Sequence, residues 1–445
     1  MGVFLGAVCL ILLFAGTLFG ASRPNFIIVF ADDLGYGDLG CFGSKQIRTP
    51  DLDQMAAEGV KLTSFYAAPT CTPARAMLLT GRYAIRSGLI RVLHPGEDFG
   101  IPDSEITLAQ ALKEQGYATG IIGKWHLGSR KRYRPIHHGF DYFFGLLYSH
   151  DMNLLPPNMH RLRLYRNDKA IEWPVDLNTL TQRYIAESKA FIERNGDRPF
   201  FLYLAHSMPH VPPRASEAFR GKSARGIYGD SVEEIDWGMG EIFAELRKRG
   251  IDKNTLVVFI SDNGPALGKG AYGGSADDLR GGKHTTWEGG VRVPFIARWP
   301  GHIPPGLVKN GIASVLDIFP TFVELAGGQV PSDRAIDGKN ILPMLEGKAD
   351  SPHSTFVYYD GRRINAIRSG DWKLHFFVVE TSRLPIHEVK KCKPPQLYNL
   401  ATDVGERHNV AKDHPDIVAR LSAEAEQFRK YVVPGELPPR RWLLR

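Results

Sequence analysis

Asn25-Phe26-Ile27-Ile28-Val29-Phe30-Ala31-Asp32-Asp33 opens the globular part of the chain with a short apolar run that ends in two carboxylates. An alternating pattern would mark a strand with one wet face. An unbroken run marks a strand buried on both faces, the habit of parallel sheets. Similar runs recur at 118–122, 200–205, 256–260 and 293–297, separated by helical periodicities at 108–115 and 232–249. This alternation predicts an α/β fold, an α/β/α sandwich with helices over both faces of one large sheet. Polar groups follow the strands directly, at Asp32-Asp33, Gly123-Lys124-Trp125-His126, His206 and Ser261-Asp262-Asn263. Ligand sites of open α/β sheets lie at the carboxyl ends of the strands, so separate segments of the chain should converge on one site.

The composition agrees with a large globular enzyme. Of 445 residues 43% are hydrophobic and 23% charged, which excludes a disordered or fibrous protein. The net charge of +7 comes from 55 basic against 48 acidic residues, a mixed surface without the basic stripe of a nucleic-acid binder. Cys9, Cys41, Cys71 and Cys392 are too few and too scattered for a disulfide scaffold or a structural zinc site. Residues 3–19 are uncharged and apolar and run into Gly20-Ala21-Ser22, a pattern suited to signal-peptidase cleavage. Residues 1–22 are therefore expected to be an export signal of a periplasmic or secreted protein, or an N-terminal membrane anchor if uncleaved. No Asn-x-Ser/Thr sequon occurs, which favours a bacterial exported protein. Residues 23–345 should form the α/β catalytic domain. Past the polar linker at 347–352, residues 346–445 should form a smaller α+β subdomain, with short antiparallel strands at 355–359, 363–368 and 372–377 and a closing amphipathic helix at Pro415–Tyr431.

The most specific segment is Cys71-Thr72-Pro73-Ala74-Arg75-Ala76-Met77-Leu78-Leu79-Thr80-Gly81-Arg82. Pro73 suits the first turn of a helix, which puts Cys71 at a helix N-terminus, where partial positive charge favours an anion. Arg75, four residues on, shares its face. The Asp32-Asp33 pair is costly unless a cation or a shared proton neutralises it. Asp262-Asn263-Gly264 adds another carboxylate and an amide carbonyl, an all-oxygen set better matched to Ca²⁺ or Mg²⁺ than to zinc. Taken singly, each pair is more often a turn or a helix cap. In extended chain Lys124 and His126 point the same way and can meet one anion. Lys283 lies between Gly281-Gly282 and Gly289-Gly290, where backbone can approach a ligand closely.

These segments are similar to the motifs of the formylglycine-dependent sulfatases of the alkaline phosphatase superfamily. Cys71 to Arg82 resembles the family signature Cys-x-Pro-x-Arg followed by Leu-Thr-Gly. The resemblance runs from Asn25 to about Val410 in the family's motif order, nearest to the arylsulfatase A-like and N-acetylgalactosamine-6-sulfatase-like group. It implies that a maturase oxidises Cys71 to formylglycine (3-oxoalanine). It also implies that Asp32, Asp33, Asp262, Asn263 and residue 71 hold calcium, with magnesium the alternative. Arg75 and Lys124 would then polarise the nucleophile, while Lys283 and His210 bind sulfate and one of them protonates the departing alcohol. His126 would deprotonate the second hydroxyl of the hydrated aldehyde after the first has attacked sulfur. Ser149, in Tyr148-Ser149-His150-Asp151, would reach the sulfate. An ungapped match to arylsulfatase A-like sequences selects His210 as the active-site histidine, whereas other subfamilies would select His206. The expected reaction is release of sulfate from a sulfated sugar or an aryl sulfate. Specificity is expected in the loops at 89–99, 130–138, 149–168 and 267–279, whose Arg, His, Tyr and Trp fit an acidic sugar. Two other readings stay open, a phosphoester or phosphonate hydrolase of the same superfamily and a non-catalytic binder of sulfated polysaccharide in which Cys71 remains a thiol. The sequence does not determine the oligomeric state.

Overall fold

A computed structural model describes residues 23–154, 162–379 and 388–437; the expected export segment lies outside the described residues. In chain order the strands of the large sheet are β1 (Asn25–Ala31), β2 (Val60–Tyr66), β3 (Ala118–Lys124), β4 (Tyr142–Leu146), β5 (Leu164–Arg166), β6 (Lys169–Glu172), β7 (Phe200–Ala205), β8 (Thr255–Ser261), β9 (Arg292–Arg298), β10 (Leu307–Lys309) and β11 (Ala313–Ser314). They are ordered β10-β2-β9-β8-β1-β7-β3-β4-β5-β6, with β11 also on β2. β1 sits near the middle, parallel to β7 on one side and β8 on the other, and all seven of its residues are buried. The unbroken apolar run is what such a position requires, since neither face of the strand meets water.

Five neighbouring strands, β8-β1-β7-β3-β4, are mutually parallel. β9 departs from the pattern. Its apolar run 293–297 resembles the others, yet it runs antiparallel to both β8 and β2. A continuous apolar run reports burial on both faces and says nothing about direction, so the parallel reading does not extend to this strand. Two groups of helices cover the sheet. Pro50–Ala57, Leu180–Asn195 and Gly226–Lys248 pack together, and Cys71–Thr80, Leu108–Glu114 and Ile318–Leu325 form the other group. Phe26 of β1 stacks on Tyr117 and on Phe322, tying the sheet to the second group. The Gly226–Lys248 helix begins earlier than the apolar periodicity at 232 suggests, because its first turn holds Gly226 and Gly229, which carry no hydrophobic signal.

A second sheet is antiparallel and holds β12 (Thr355–Asp360), β13 (Arg363–Ser369), β14 (Trp372–Val379) and β15 (Val389–Asn399) in that order, closed by the Pro415–Tyr431 helix. β15 was not legible as a strand, since Lys390, Lys391, Lys393, Pro394 and Pro395 break its apolar pattern. Prolines and lysines are tolerated there because β15 is an edge strand. The small sheet is fixed to the large unit by buried charge. Lys373 of β14 reaches Glu288 at 2.7 Å and Glu406 at 3.2 Å, and Arg368 of β13 donates to the Tyr66 hydroxyl of β2.

Candidate active site

Strand direction delivers the polar residues to one edge of the sheet. Asp32-Asp33 follow β1, Lys124 ends β3, Ser149 lies three residues past β4, His206 follows β7 and Asp262-Asn263 follow β8, all at carboxyl ends of parallel strands. β2 is antiparallel to β9, which is antiparallel to β8, so β2 runs with β8 and the Cys71–Thr80 helix starts at the same edge. The reversed direction of β9 has a use here. The loop that precedes it, with Lys283, enters from this edge.

Cys71 occupies the first position of its helix, after Thr70 in extended conformation, and is 1% exposed. It shares a cavity of about 520 Å³ with Asp33, His126, Ser149, His210 and Lys283. At the cavity floor three buried cations meet three buried carboxylates, Lys124 and Arg75 being fully sealed behind it. Lys124 Nζ lies 2.5 Å from Asp32, Arg75 donates to Asp262 at 2.8 Å and to the Lys124 carbonyl at 2.9 Å, and Lys283 Nζ lies 2.7 Å from Asp33. Asp33 is further clamped by Asn263, which donates to its Oδ1 at 2.8 Å, while the Asp33 N–H donates to Asp262 at 3.1 Å.

Burial opposes ionisation of Asp32, but Lys124, His210 and Arg75 outweigh it and hold the carboxyl well below the usual range. Asp33 is lowered in the same way, burial being overcome by His210 and Lys283. Asp262 goes the other way, raised to about 7 by burial and by the neighbouring charge of Asp32. Burial also raises the Cys71 thiol, against the pull of Lys124 and Lys283, so an unmodified thiolate is disfavoured here.

The histidines are oriented by backbone. His126 Nε2 lies 3.0 Å from the Leu93 carbonyl, which can only accept, so the proton is on Nε2 and the unpartnered, buried Nδ1 is a bare acceptor. Burial, then Lys124 and Arg75, lower its pKa well below the usual value, which keeps the ring neutral. His210 Nδ1 likewise donates to the Val211 carbonyl at 2.8 Å, leaving Nε2 to accept from Lys283 Nζ at 2.9 Å.

The structure thus brings Cys71, Arg75, Lys124, His126, His210, Lys283, Asp32, Asp33, Asp262 and Asn263 into one constellation, with Ser149 at the cavity wall. His206 is not part of the cavity lining. It is fully buried beside Tyr184, 6.3 Å between ring centroids, with both ring nitrogens unpartnered among the described residues and its pKa lowered to about 3 by burial. Lys124 and His126 do not converge by extended-chain geometry. His126 has φ 61°, a left-handed turn that follows β3, so its ring comes to the cavity while Lys124 points at Asp32 from behind. Asp33 and His284 are also left-handed, at φ 65° and 74°, and strained backbone of this kind persists where the surroundings dictate it. Sequence reading missed the supports. Thr72 Oγ1 donates to the His126 carbonyl at 2.9 Å and accepts from Leu93 N at 3.3 Å, tying the Cys71 helix to both ends of the histidine's anchorage. Asp38 accepts from Gly35 N, Tyr228 Oη and Ser275 N, joining the Asp32-Asp33 loop to the segment that leads to Lys283. A threonine or aspartate acting on a residue far away in sequence leaves no local signal.

The donor set fits a hard divalent cation. Among the described residues Asp32 Oδ1 and Asn263 Oδ1 are buried oxygens without a hydrogen-bond partner, and donor atoms of Asp32, Asp33 and His210 lie within 4.8 Å of one another. Unpaired buried oxygens of this kind call for a donor or a cation.

Comparison with known proteins agrees with this geometry. The family described as Sulfatase matches residues 24–328, and the C-terminal region of aryl-sulfatase matches residues 351–438. The chain is 40% identical to arylsulfatase A of Bos taurus over 457 residues, covering 95% of this chain and 89% of that protein. It is 39% identical to N-acetylgalactosamine-6-sulfatase of Canis lupus familiaris over 464 residues, covering 94% and 88%. Among solved structures, the PsFucS1 sulfatase from Pseudoalteromonas sp. superposes with a TM-score of 0.85 at 30% identity, covering 91% of this chain and 90% of that one.

Proposed function

The chain belongs to the sulfatase family and is a sulfuric ester hydrolase, and we propose that it releases sulfate from a sulfated carbohydrate or aryl ester through formylglycine made from Cys71, beside a bound calcium. The observation that carries this reading is the shared cavity of Cys71, His126, His210 and Lys283, with three carboxylates and an amide packed against it. Hydrated formylglycine supplies an oxygen nucleophile together with a second hydroxyl through which sulfate can be expelled, a route that a thiol lacks. Asp32, Asp33, Asp262, Asn263 and the oxidised residue 71 would hold calcium, whose charge offsets that of the sulfate oxygens and of the carboxylates.

Each residue of the chain then has a task set by its contacts. Lys124 and Arg75 keep the floor of the site positive. Lys283 and His210, between whose Nζ and Nε2 one proton can pass at 2.9 Å, bind the sulfate oxygens, and whichever of them carries that proton hands it to the departing alcohol oxygen. Ser149, whose buried Oγ lies at the cavity wall beside Asp151, adds a hydrogen bond to the sulfate. His126 takes a proton from position 71 on its bare Nδ1, while Leu93 fixes the ring. Residues 23–345 carry this chemistry, with residues 346–445 as the buttress that holds the Lys283 loop. The maturase is the protein partner this reading requires. Export through residues 1–22, or anchoring by them, belongs to the same proposal.

The test is sulfate release by protein coexpressed with a maturase, on sulfated monosaccharides, polysaccharide fragments and one aryl sulfate, with Cys71→Ala as control and matched phosphate esters alongside. Release that requires Cys71 supports the proposal. Faster turnover of the phosphate esters would replace it with the phosphoesterase reading. Binding without turnover, with formylglycine confirmed by peptide mass, would replace it with the polysaccharide binder.

A further inference from the structure

The cavity wall carries a charge that the chemistry above does not use. Asp151 lines the same cavity as Lys283 and His210, which are there to attract an anion. A carboxylate beside an anion site repels the very group the site recruits, so its presence needs a compensating contact. Within the protein it has little. Among the described residues its buried Oδ1 has no hydrogen bond of good geometry, the Ser149 hydroxyl is the donor beside the carboxylate, and it forms no ion pair. By contrast Asp33, the other carboxylate of the lining, is tied to Lys283 and Asn263. With the Ser149 hydroxyl turned to the sulfate, as read above, Asp151 lacks a donor, and the one it then accepts from arrives with the substrate. The sulfate group has no donor to give, and the ring of an aryl ester supplies none. The hydroxyl groups of a sugar, or the N–H of an acylated amino sugar, do.

We propose that Asp151 reads the alcohol half of the substrate, its carboxylate accepting O–H or N–H donors of a sulfated sugar and so selecting sugar esters over aryl esters; this rests on the sulfatase reading of the cavity. Burial opposes ionisation of Asp151, but His210 and His150 overcome it and hold the carboxyl below its ordinary range, so the group is an acceptor. A site built to accept a particular hydroxyl discriminates strongly against analogues that lack it, because its own buried oxygen is then left unpaired.

The experiment measures kcat/KM of the matured protein on 4-nitrophenyl sulfate and on the best monosulfated sugar of a panel, for the parent, Asp151→Asn and Asp151→Ala. The sugar-to-aryl ratio should fall about 10–100-fold in Asp151→Ala, the loss expected for a hydrogen bond to a charged group. It should fall less in Asp151→Asn, whose amide oxygen still accepts. Both esters are compared on the same preparation, so misfolded material cancels in the ratio. A ratio unchanged within about threefold overturns the proposal, as does a parent that turns over only the aryl ester. If the parent turns over neither ester, it is the sulfatase reading that fails. Calorimetric affinities of Cys71→Ala for the same two esters, with and without Asp151→Ala, then decide Asp151 independently: a fallen sugar-to-aryl affinity ratio supports it and an unchanged one overturns it.

Discussion

Cys71 sits at the start of its helix, against the cavity instead of within the apolar core, so its side chain can be altered without opening a void. Cys71→Ala should lower turnover by at least about 10⁴-fold while leaving the melting temperature and sulfate affinity near those of the parent. Parent-like turnover in that variant would remove position 71 from the chemistry. His126→Ala should lower kcat by about 10²–10⁴-fold, the usual contribution of a positioned base, with little change in KM, because the ring is read here as moving a proton and not as holding sulfate. A rise in KM at constant kcat would reassign it to binding. At this scale the sequence was most legible where the spacing is local. Cys71 and Arg75 lie one turn apart on one helix, and the helix is where Pro73 placed it. The choice between His206 and His210 was not local. Only three residues lie between them, yet one ring is sealed beside Tyr184 and the other touches Lys283.

Between β3 and β7 the backbones approach too closely for any side chain at Gly123. A Cβ there would stand 1.7 Å from the Ala205 carbonyl oxygen, and Gly123 has φ 115°. Gly123→Ala should therefore cost about 2–5 kcal/mol, from overpacking plus backbone strain, read as a lower urea midpoint. It should also lower kcat, since Lys124 is the next residue. A midpoint equal to the parent's would show that the two strands can separate at no cost. The elements themselves were largely readable, because β1, β7, the Leu108–Glu114 helix and the Pro415–Tyr431 helix announce their burial by period. β2 and β15 were not, the first because Lys61, Thr63 and Ser64 dilute its apolar positions, the second because its lysines and prolines face an open edge.

At the scale of the whole molecule, charge both organises the site and joins the two sheets. Glu288 and Lys373 are fully buried across that junction, 2.7 Å apart. Burial opposes ionisation of Glu288, but Lys373, Arg292 and Arg368 prevail and hold its carboxyl well below the ordinary 4.5. A depressed carboxyl stabilises the fold above its unfolded value and loses that contribution as pH falls through the folded one. The melting temperature should thus drop as pH is lowered from about 5, and the drop should be shallower in Glu288→Gln, which should itself be destabilised by about 3–5 kcal/mol at pH 7 because Lys373 loses a buried partner. Parallel melting curves for the two proteins across that pH range would discount the pair. Thorough chelation should lower the melting temperature and slow catalysis, because the carboxylates gathered at one sheet edge lose a counter-charge; unchanged stability would count against calcium at Asp32, Asp33, Asp262 and Asn263. By itself the amino-acid sequence determined the fold class, the main buried strands and helices and the motif residues that the structure gathers at one cavity, since burial period, helix spacing and motif chemistry are properties of neighbours along the chain. Tertiary structure alone decided the direction of β9, which brings Lys283 to the site, the left-handed turn that aims His126, and the unpaired oxygen of Asp151, because each depends on contacts between segments far apart in sequence.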